Sequence, residues 1–254
     1  LVGALVLGTA LPHLLKDLFT NSSWKHVLIA TSLLSIFGGL LLLIFIKDGP
    51  FSTKSKGFNI SSCFNVFKNI DFSKASFGYF GHMWELYTFW TFVPVLLLMY
   101  QKLHIDVIFS IPLLSFAIIG VGSISCILSG YISEKLGIKK TAFHFLLLSC
   151  LCCLLSPLMF YQPNKTLFII FLIFWGMVVI ADSPLFSTLV AKNAPSENKG
   201  TALTIVNCIG FAITIISIQL LTTLQVLSTS SFIFMILAIG PIFGLLALKK
   251  KSVS

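Results

Sequence analysis

The segment from Ser76 to Tyr100 reads SFGYFGHMWELYTFWTFVPVLLLMY, and it decides the structural class of this protein. Within these 25 residues Glu85 is the single Asp, Glu, Lys or Arg. A helix of about 20 mostly apolar residues is long enough to cross the hydrocarbon core of a bilayer. The segment is therefore predicted to be a transmembrane helix with one carboxylate inside it.

The composition of the whole chain agrees with a membrane location. Asp, Glu, Lys and Arg make up 10% of the 254 residues, whereas hydrophobic residues make up 57%. A soluble domain has about 25% charged residues, and this chain has too few charges to cover the surface of such a domain. The composition excludes a soluble enzyme, a disordered chain and a nucleic-acid-binding protein. The net charge of +9 is expected to lie in basic loops on the cytoplasmic face.

Eight apolar stretches are predicted to cross the membrane. The first is shorter than the others and no initiator Met precedes it, so we interpret the chain as truncated at its N-terminus. Short linkers with turn residues separate most of the stretches, and one long polar linker, residues 48–75, follows the second. The predicted spans are residues 1–15, 25–46, 76–100, 107–130, 141–161, 166–191, 201–224 and 231–248.

The lysines are divided unevenly between the two sides of the membrane that alternating spans define. Thirteen of the 17 lysines fall in the linkers on the side of residues 48–75 and the C-terminus, and four fall on the other side. Cytoplasmic loops carry an excess of basic residues. We therefore expect the long linker and the C-terminus to lie in the cytoplasm.

Glu85 and His82 are predicted to form a pair deep inside the membrane. Glu85 lies nine residues after Ser76, which places it ~13 Å into a hydrocarbon core about 30 Å thick. His82 lies one helical turn earlier on the same face. A carboxylate inside a span is costly and marks a functional site by default. We interpret the two residues as a proton-titratable pair, and a structural hydrogen bond between helices is the alternative.

The glycines near this pair predict close helix packing, and a second carboxylate lies in a later span. Gly78 and Gly81 make their end of the helix narrow, so that a neighbouring helix can approach. Asp182 lies ten residues before Lys192, ~15 Å from the same end of the bundle. Pro184 removes a backbone donor and loosens the helix there. We interpret Asp182 as a second proton or substrate site, with a buried polar contact as the alternative.

A polar stripe runs along the seventh apolar stretch at helical spacing. Such a stripe either lines a water-filled path or packs small residues against a neighbouring helix, and both alternatives stay open. Asn207 is the best candidate in the stripe for contact with a substrate. The stripe consists of Thr204, Asn207, Gly210, Thr214 and Ser217.

The linker after the fourth stretch carries a specific motif, GYISEKLGIKK over residues 130–140. A glycine is followed after three residues by an acid and a base, then by a second glycine and two lysines. This pattern resembles the cytoplasmic-loop signature of the major facilitator superfamily, which usually has Asp where this chain has Glu134. The motif residues are Gly130, Glu134, Lys135, Gly137, Lys139 and Lys140.

The resemblance implies an all-α membrane protein with the helical bundle of this superfamily and about eight transmembrane helices. Residues 1–47 would hold the last two spans of an N-terminal half, residues 48–75 the cytoplasmic linker, and residues 76–254 a complete six-span C-terminal half. The motif loop would act as a cytoplasmic gate. In that gate Glu134 caps a helix N-terminus or pairs with a base on the other half, and the lysines anchor the cytoplasmic face.

We therefore expect a secondary active transporter, a permease that moves a small solute by alternating access and couples the movement to protons. The expected setting is the bacterial inner membrane, where the protein acts as a monomer with the lipid bilayer around it and without a cofactor or metal ion. A membrane-embedded enzyme that uses His82 and Glu85 as acid and base is one alternative, and a non-transporting sensor or scaffold is another. The cysteines are interpreted as small apolar residues of the membrane helices.

Overall fold

The computed structural model describes residues 1–19, 23–47, 66–195 and 199–249. These residues form helices and short connections, and no β-strand occurs among them. We number eight helices in this part of the chain. They are α1 (Val2–Leu18), α2 (Trp24–Phe45), α3 (Ile70–Leu103), α4 (Ile111–Leu136), α5 (Ile138–Phe160), α6 (Lys165–Asn193), α7 (Lys199–Leu227) and α8 (Ser231–Lys249).

Seven of these helices, α2 to α8, are long and apolar enough to cross a membrane. The first helix is shorter, with 17 residues, as the first apolar stretch predicts. The outer surface is apolar, and α2 has no buried residue at all. Exposed leucine, isoleucine and phenylalanine side chains on every face of such a helix suit a lipid environment. The predicted class, an all-α membrane protein, is confirmed.

Helix α3 lies at the centre of the bundle and packs against α4, α6, α7 and α8. It begins at Ile70, six residues earlier than the predicted span, because the Asn69 side chain caps it. The Asn69 carboxamide oxygen accepts hydrogen bonds from the backbone N–H groups of Asp71 at 3.0 Å and Phe72 at 3.1 Å. The end of the predicted linker is thus helical, and residues 48–65 lie outside the described part of the chain.

Glycines permit the closest contacts of α3, as the sequence predicts for Gly78 and Gly81. A Cβ atom at Gly81 would clash with the carbonyl oxygen of Gly240 on α8, and a Cβ atom at Gly78 would clash with the ring of Phe186 on α6. The Trp84 indole N–H also donates a hydrogen bond to the Ile236 carbonyl of α8 at 3.2 Å. Backbones that approach this closely gain dispersion contacts, which drive helix association in lipid.

Helix α6 is interrupted at Asp182, where Lys165–Ala181 and Ser183–Asn193 meet. Pro184 causes the break, because it cannot donate a backbone hydrogen bond to the carbonyl of Ile180. The Cys126 thiol of α4 lies 3.9 Å from that carbonyl oxygen and donates to it. The predicted loosening of this helix by Pro184 is therefore observed, and the freed carbonyl has a side-chain partner.

Two further helices are irregular. Helix α4 is interrupted at Val121, between Ile111–Gly120 and Gly122–Leu136, and the break lies beside α6. Helix α8 begins as a 3₁₀ helix, Ser231–Ala238, and continues as an α-helix from Ile239. One end of the bundle is rich in lysine, and we call it the lysine-rich end. It is defined by Lys135, Lys139, Lys140, Lys192, Lys199 and Lys249.

Candidate functional site

Glu85 lies in the middle of the bundle and is 1% exposed. Its carboxylate accepts hydrogen bonds from three side chains of two other helices. The Trp175 indole N–H of α6 donates to Oε1 at 2.8 Å, and the Cys153 thiol of α5 donates to the same oxygen at 3.1 Å. The Ser149 hydroxyl of α5 donates to Oε2 at 2.9 Å. Glu85 therefore joins α3 to α5 and α6 through one carboxylate.

The local sequence explains why these three donors meet at Glu85. Ser149 and Cys153 are four residues apart, so they lie on one face of α5. The Trp175 ring is fully buried and packs on Phe89 with 4.5 Å between the ring centroids. Phe89 lies one turn after Glu85 on α3, so the same contact that packs α3 on α6 also aims the indole N–H at the carboxylate.

His82 pairs with Asp182 across the α3–α6 contact. The His82 Nδ1 atom lies 2.8 Å from the Asp182 Oδ1 atom, and both side chains are at most 1% exposed. The predicted pairing of His82 with Glu85 is wrong, since each residue has its polar partners on other helices. The two side chains lie at different heights along α3, where different helices pack against it, so His82 contacts α6 and Glu85 contacts mainly α5.

The His82–Asp182 pair has hydrogen-bonding atoms that are not used. The His82 Nε2 atom and the Asp182 Oδ2 atom are buried and have no hydrogen-bond partner among the described residues. No lysine of the described residues forms an ion pair with Glu85 or Asp182. The two acids are close enough to influence each other electrostatically. A buried network with unmet hydrogen-bonding capacity costs stability, and a functional role is one explanation for its presence.

The polar stripe on α7 divides into two parts. Gly210, Thr214 and Ser217 are buried on the face that packs against α3, and the Ser217 hydroxyl accepts from Thr88 Oγ1 at 2.8 Å. This part of the stripe contributes to the packing of α7 on α3. Thr204 and Asn207 instead lie on an exposed face of α7. The role of Thr204, Asn207 and Thr214 in contact with a solute stays a prediction.

The motif loop forms a one-residue connection between α4 and α5. Gly137 has a φ of 84°, a left-handed conformation that favours glycine. Glu134 is exposed in the last turn of α4, and α5 begins without a side-chain cap. Capping of a helix N-terminus by Glu134 is therefore not observed within the described residues. An open groove of about 550 Å³ beside the loop is lined by Ser133, Glu134, Gly137, Ile138, Lys139, Leu189 and Lys192.

The other motif residues lie on the surface. Lys135, Lys139 and Lys140 are exposed at the lysine-rich end, and a Cβ atom at Gly130 would meet open space. The described residues contain no group of three His, Cys, Asp or Glu side chains that could hold a metal ion. Cys150, Cys152 and Cys153 are buried free thiols. The interpretation of Cys153 as merely apolar is wrong, because its thiol donates to Glu85.

The family model described as Major Facilitator Superfamily matches residues 2–218. This range includes both buried acids, the break in α6 and the motif loop. The chain belongs to the major facilitator superfamily. No curated protein sequence matches it. Membership in the superfamily identifies the chain as a multi-pass membrane transporter, in agreement with its apolar spans.

In this major facilitator superfamily protein, sequence reasoning found the acids and missed the donors around Glu85. The sequence does contain one indication of a donor at Trp175, because an indole N–H in the middle of an apolar span needs a polar partner. Ser149 and Cys153 give a weaker indication, because a polar pair at four-residue spacing occurs often in membrane helices. Neither signal identifies the partner, because the partner belongs to another helix.

Proposed function

We propose that this transporter moves a small solute by alternating access and couples the movement to protons, with Glu85 as the proton-carrying group. The position of Glu85 carries the proposal. It is a fully buried carboxyl group with three hydrogen-bond donors and no cationic partner among the described residues. A carboxyl group inside a span is costly and is retained where it serves ion or proton movement.

The geometry also gives protonation of Glu85 a mechanical consequence. The ionised carboxylate accepts hydrogen bonds from α5 and α6 at once, and these bonds to a charged acceptor are stronger than neutral ones. Addition of a proton removes the charge and weakens the connection between α3 and its two neighbours. A proton on Glu85 therefore favours a different relative position of these helices, which is the coupling that alternating access requires.

The His82–Asp182 pair is proposed as the second element of the pathway. It connects α3 to the point where α6 is interrupted, so movement of α6 about Asp182 would separate the pair. Separation would expose the buried Oδ2 and Nε2 atoms to a solute or a proton. Asp182 is thus placed in this proposal as a second proton or substrate site.

The remaining parts of the proposal concern the membrane. The lysine-rich end is assigned to the cytoplasm of a bacterial cell, with the C-terminus on the same side. Gly130, Glu134, Lys135, Gly137, Lys139 and Lys140 form the proposed cytoplasmic gate. The transporter is proposed to work as a monomer in the inner membrane.

The test uses the full-length protein reconstituted into liposomes that contain a pH-sensitive dye. A panel of single sugars, amino acids, carboxylic acids and organic cations is added in turn, and a solute that produces a protein-dependent proton flux is kept as the probe. Glu85→Gln preserves the shape of the side chain and cannot carry a proton. We expect it to abolish proton-driven accumulation of the probe and to retain part of its passive exchange.

Asp106→Asn is the matched control, because Asp106 is an exposed acid in the connection between α3 and α4. It is expected to accumulate the probe as the unmodified protein does. Accumulation by Glu85→Gln equal to that of the unmodified protein would contradict the coupling role and leave Glu85 as a structural residue.

A further inference from the structure

The two oxygens of Glu85 have chemically different partners. Oε1 accepts from the Trp175 indole N–H at 2.8 Å and from the Cys153 thiol at 3.1 Å. An indole N–H is a donor only, so it cannot accept a proton from a carboxylic acid. Oε2 accepts from the Ser149 hydroxyl at 2.9 Å. A hydroxyl group can donate or accept a hydrogen bond. Ser149 is therefore the one strong partner that can bond to Glu85 both when the carboxyl group is ionised and when it is protonated.

Ser149 also has an alternative acceptor for its own proton. Its Oγ atom lies 3.1 Å from the carbonyl oxygen of Leu146, one turn earlier on α5, as well as 2.9 Å from Glu85 Oε2. Its single hydroxyl proton can point to one of these acceptors at a time. Rotation about the Cβ–Oγ bond changes the acceptor without moving a heavy atom.

We propose that Glu85 carries its proton on Oε2 and that Ser149 is the positioning residue that accommodates it by reversing their hydrogen bond. This inference rests on the proposed function of Glu85. When Glu85 is ionised, Ser149 donates to Oε2. When a proton binds Oε2, the new O–H group donates to Ser149 Oγ, and the hydroxyl proton of Ser149 turns to the Leu146 carbonyl. Trp175 keeps its hydrogen bond to Oε1 in both states.

The other titratable groups near Glu85 do not offer the same exchange. Cys150 and Cys152 on α5 have no hydrogen bond to the carboxylate among the described contacts, and Cys153 is a weak acceptor on the Oε1 side. Asp182 acts on Glu85 only through space, without a hydrogen bond to it. Among the described residues of the other helices packed on α3, charged groups occur near the ends of α4, α7 and α8 and not beside Glu85.

The experiment is infrared difference spectroscopy of the reconstituted full-length protein between high and low pH. The C=O stretching band of protonated Glu85 is assigned by its loss in Glu85→Gln. A hydrogen bond from the acid to Ser149 lowers the frequency of this band. We expect Ser149→Ala to move the band to higher frequency, because the acid then lacks its acceptor. Ser149→Cys, which keeps the volume and accepts weakly, should move it in the same direction by less.

The matched control is Ser156→Ala. Ser156 is equally buried on α5, and its hydroxyl bonds to the Cys153 carbonyl of its own helix at 2.8 Å. This variant should leave the band in place. A Glu85 band that has the same frequency in Ser149→Ala and Ser149→Cys as in the unmodified protein would overturn the assignment of the proton to Oε2. Absence of any Glu85 band in the unmodified protein would instead overturn the proposed function, and this inference with it.

Discussion

At the scale of single residues, His82 and Asp182 depend on each other. Removal of one partner from a buried hydrogen-bonded pair leaves the other polar group unpaired and costs about 1–3 kcal/mol. We expect His82→Ala and Asp182→Ala each to lower the free energy of unfolding by about that amount in detergent. The double variant should lose less free energy of unfolding than the sum of the two single losses. The second substitution removes the polar group that the first one left without a partner.

The measurement is a double-mutant cycle from urea unfolding of the purified protein, followed by Trp fluorescence. Asp71→Ala and Lys74→Ala give the comparison, since those two residues form a 3.4 Å pair in which Asp71 is exposed. Their coupling energy should be below about 1 kcal/mol. Additive losses for His82 and Asp182 would show that the two side chains do not stabilise each other.

The sequence predicted which residues of the site are acids and that they lie within apolar helices, because an acid in an apolar span is visible without a structure. It did not predict the partners. The periodicity of a helix indicates which residues share a face, and for that reason His82 was predicted to pair with Glu85. Which helix lies against that face depends on packing between distant segments, and this packing brought Asp182 to His82 and Trp175 to Glu85.

At the scale of helices, the contact between α3 and α8 depends on two glycines that face each other. A methyl group at position 81 would clash with the Gly240 backbone, which cannot rotate away as a side chain can. We expect Gly81→Ala to lower the thermal unfolding midpoint of the purified protein and to weaken the packing of α8. Gly38→Ala on α2 is the matched control, because a Cβ atom there has nothing within 4 Å.

The midpoints are measured by circular dichroism in the same detergent. Gly38→Ala should be neutral or slightly stabilising, since alanine has the higher helix propensity. Equal midpoints for Gly81→Ala and the unmodified protein would mean that α8 moves away from α3 at little cost. The sequence anticipated the narrow face of α3, and it gave no indication that α8 and not another helix occupies it.

At the scale of the whole molecule, hydropathy predicted the class and the order of the spans because the bilayer imposes one length on every crossing segment. The features that hydropathy could not locate are set by local contacts and by packing between helices. Asn69 starts α3 early, and α4 is interrupted at Val121 within a continuous apolar run. Part of the stripe on α7 packs against a helix. Whether a polar stripe packs or lines a water-filled path depends on where α3 lies.

The proposed orientation of the molecule in the membrane rests on the distribution of its lysines, and it can be tested with one thiol. Cys63 lies in the long linker, outside the described residues, and the linker is predicted to be cytoplasmic. We expect an impermeant thiol reagent added to right-side-out vesicles to leave Cys63 unlabelled in a variant without the other cysteines, and to label it after permeabilisation. Asp106→Cys in a variant without the six native cysteines supplies the matched control, because residue 106 is exposed between α3 and α4, away from the lysine-rich end. It should react before permeabilisation. Labelling of Cys63 from outside together with protection of the residue 106 thiol would reverse the orientation and place the motif loop outside the cell.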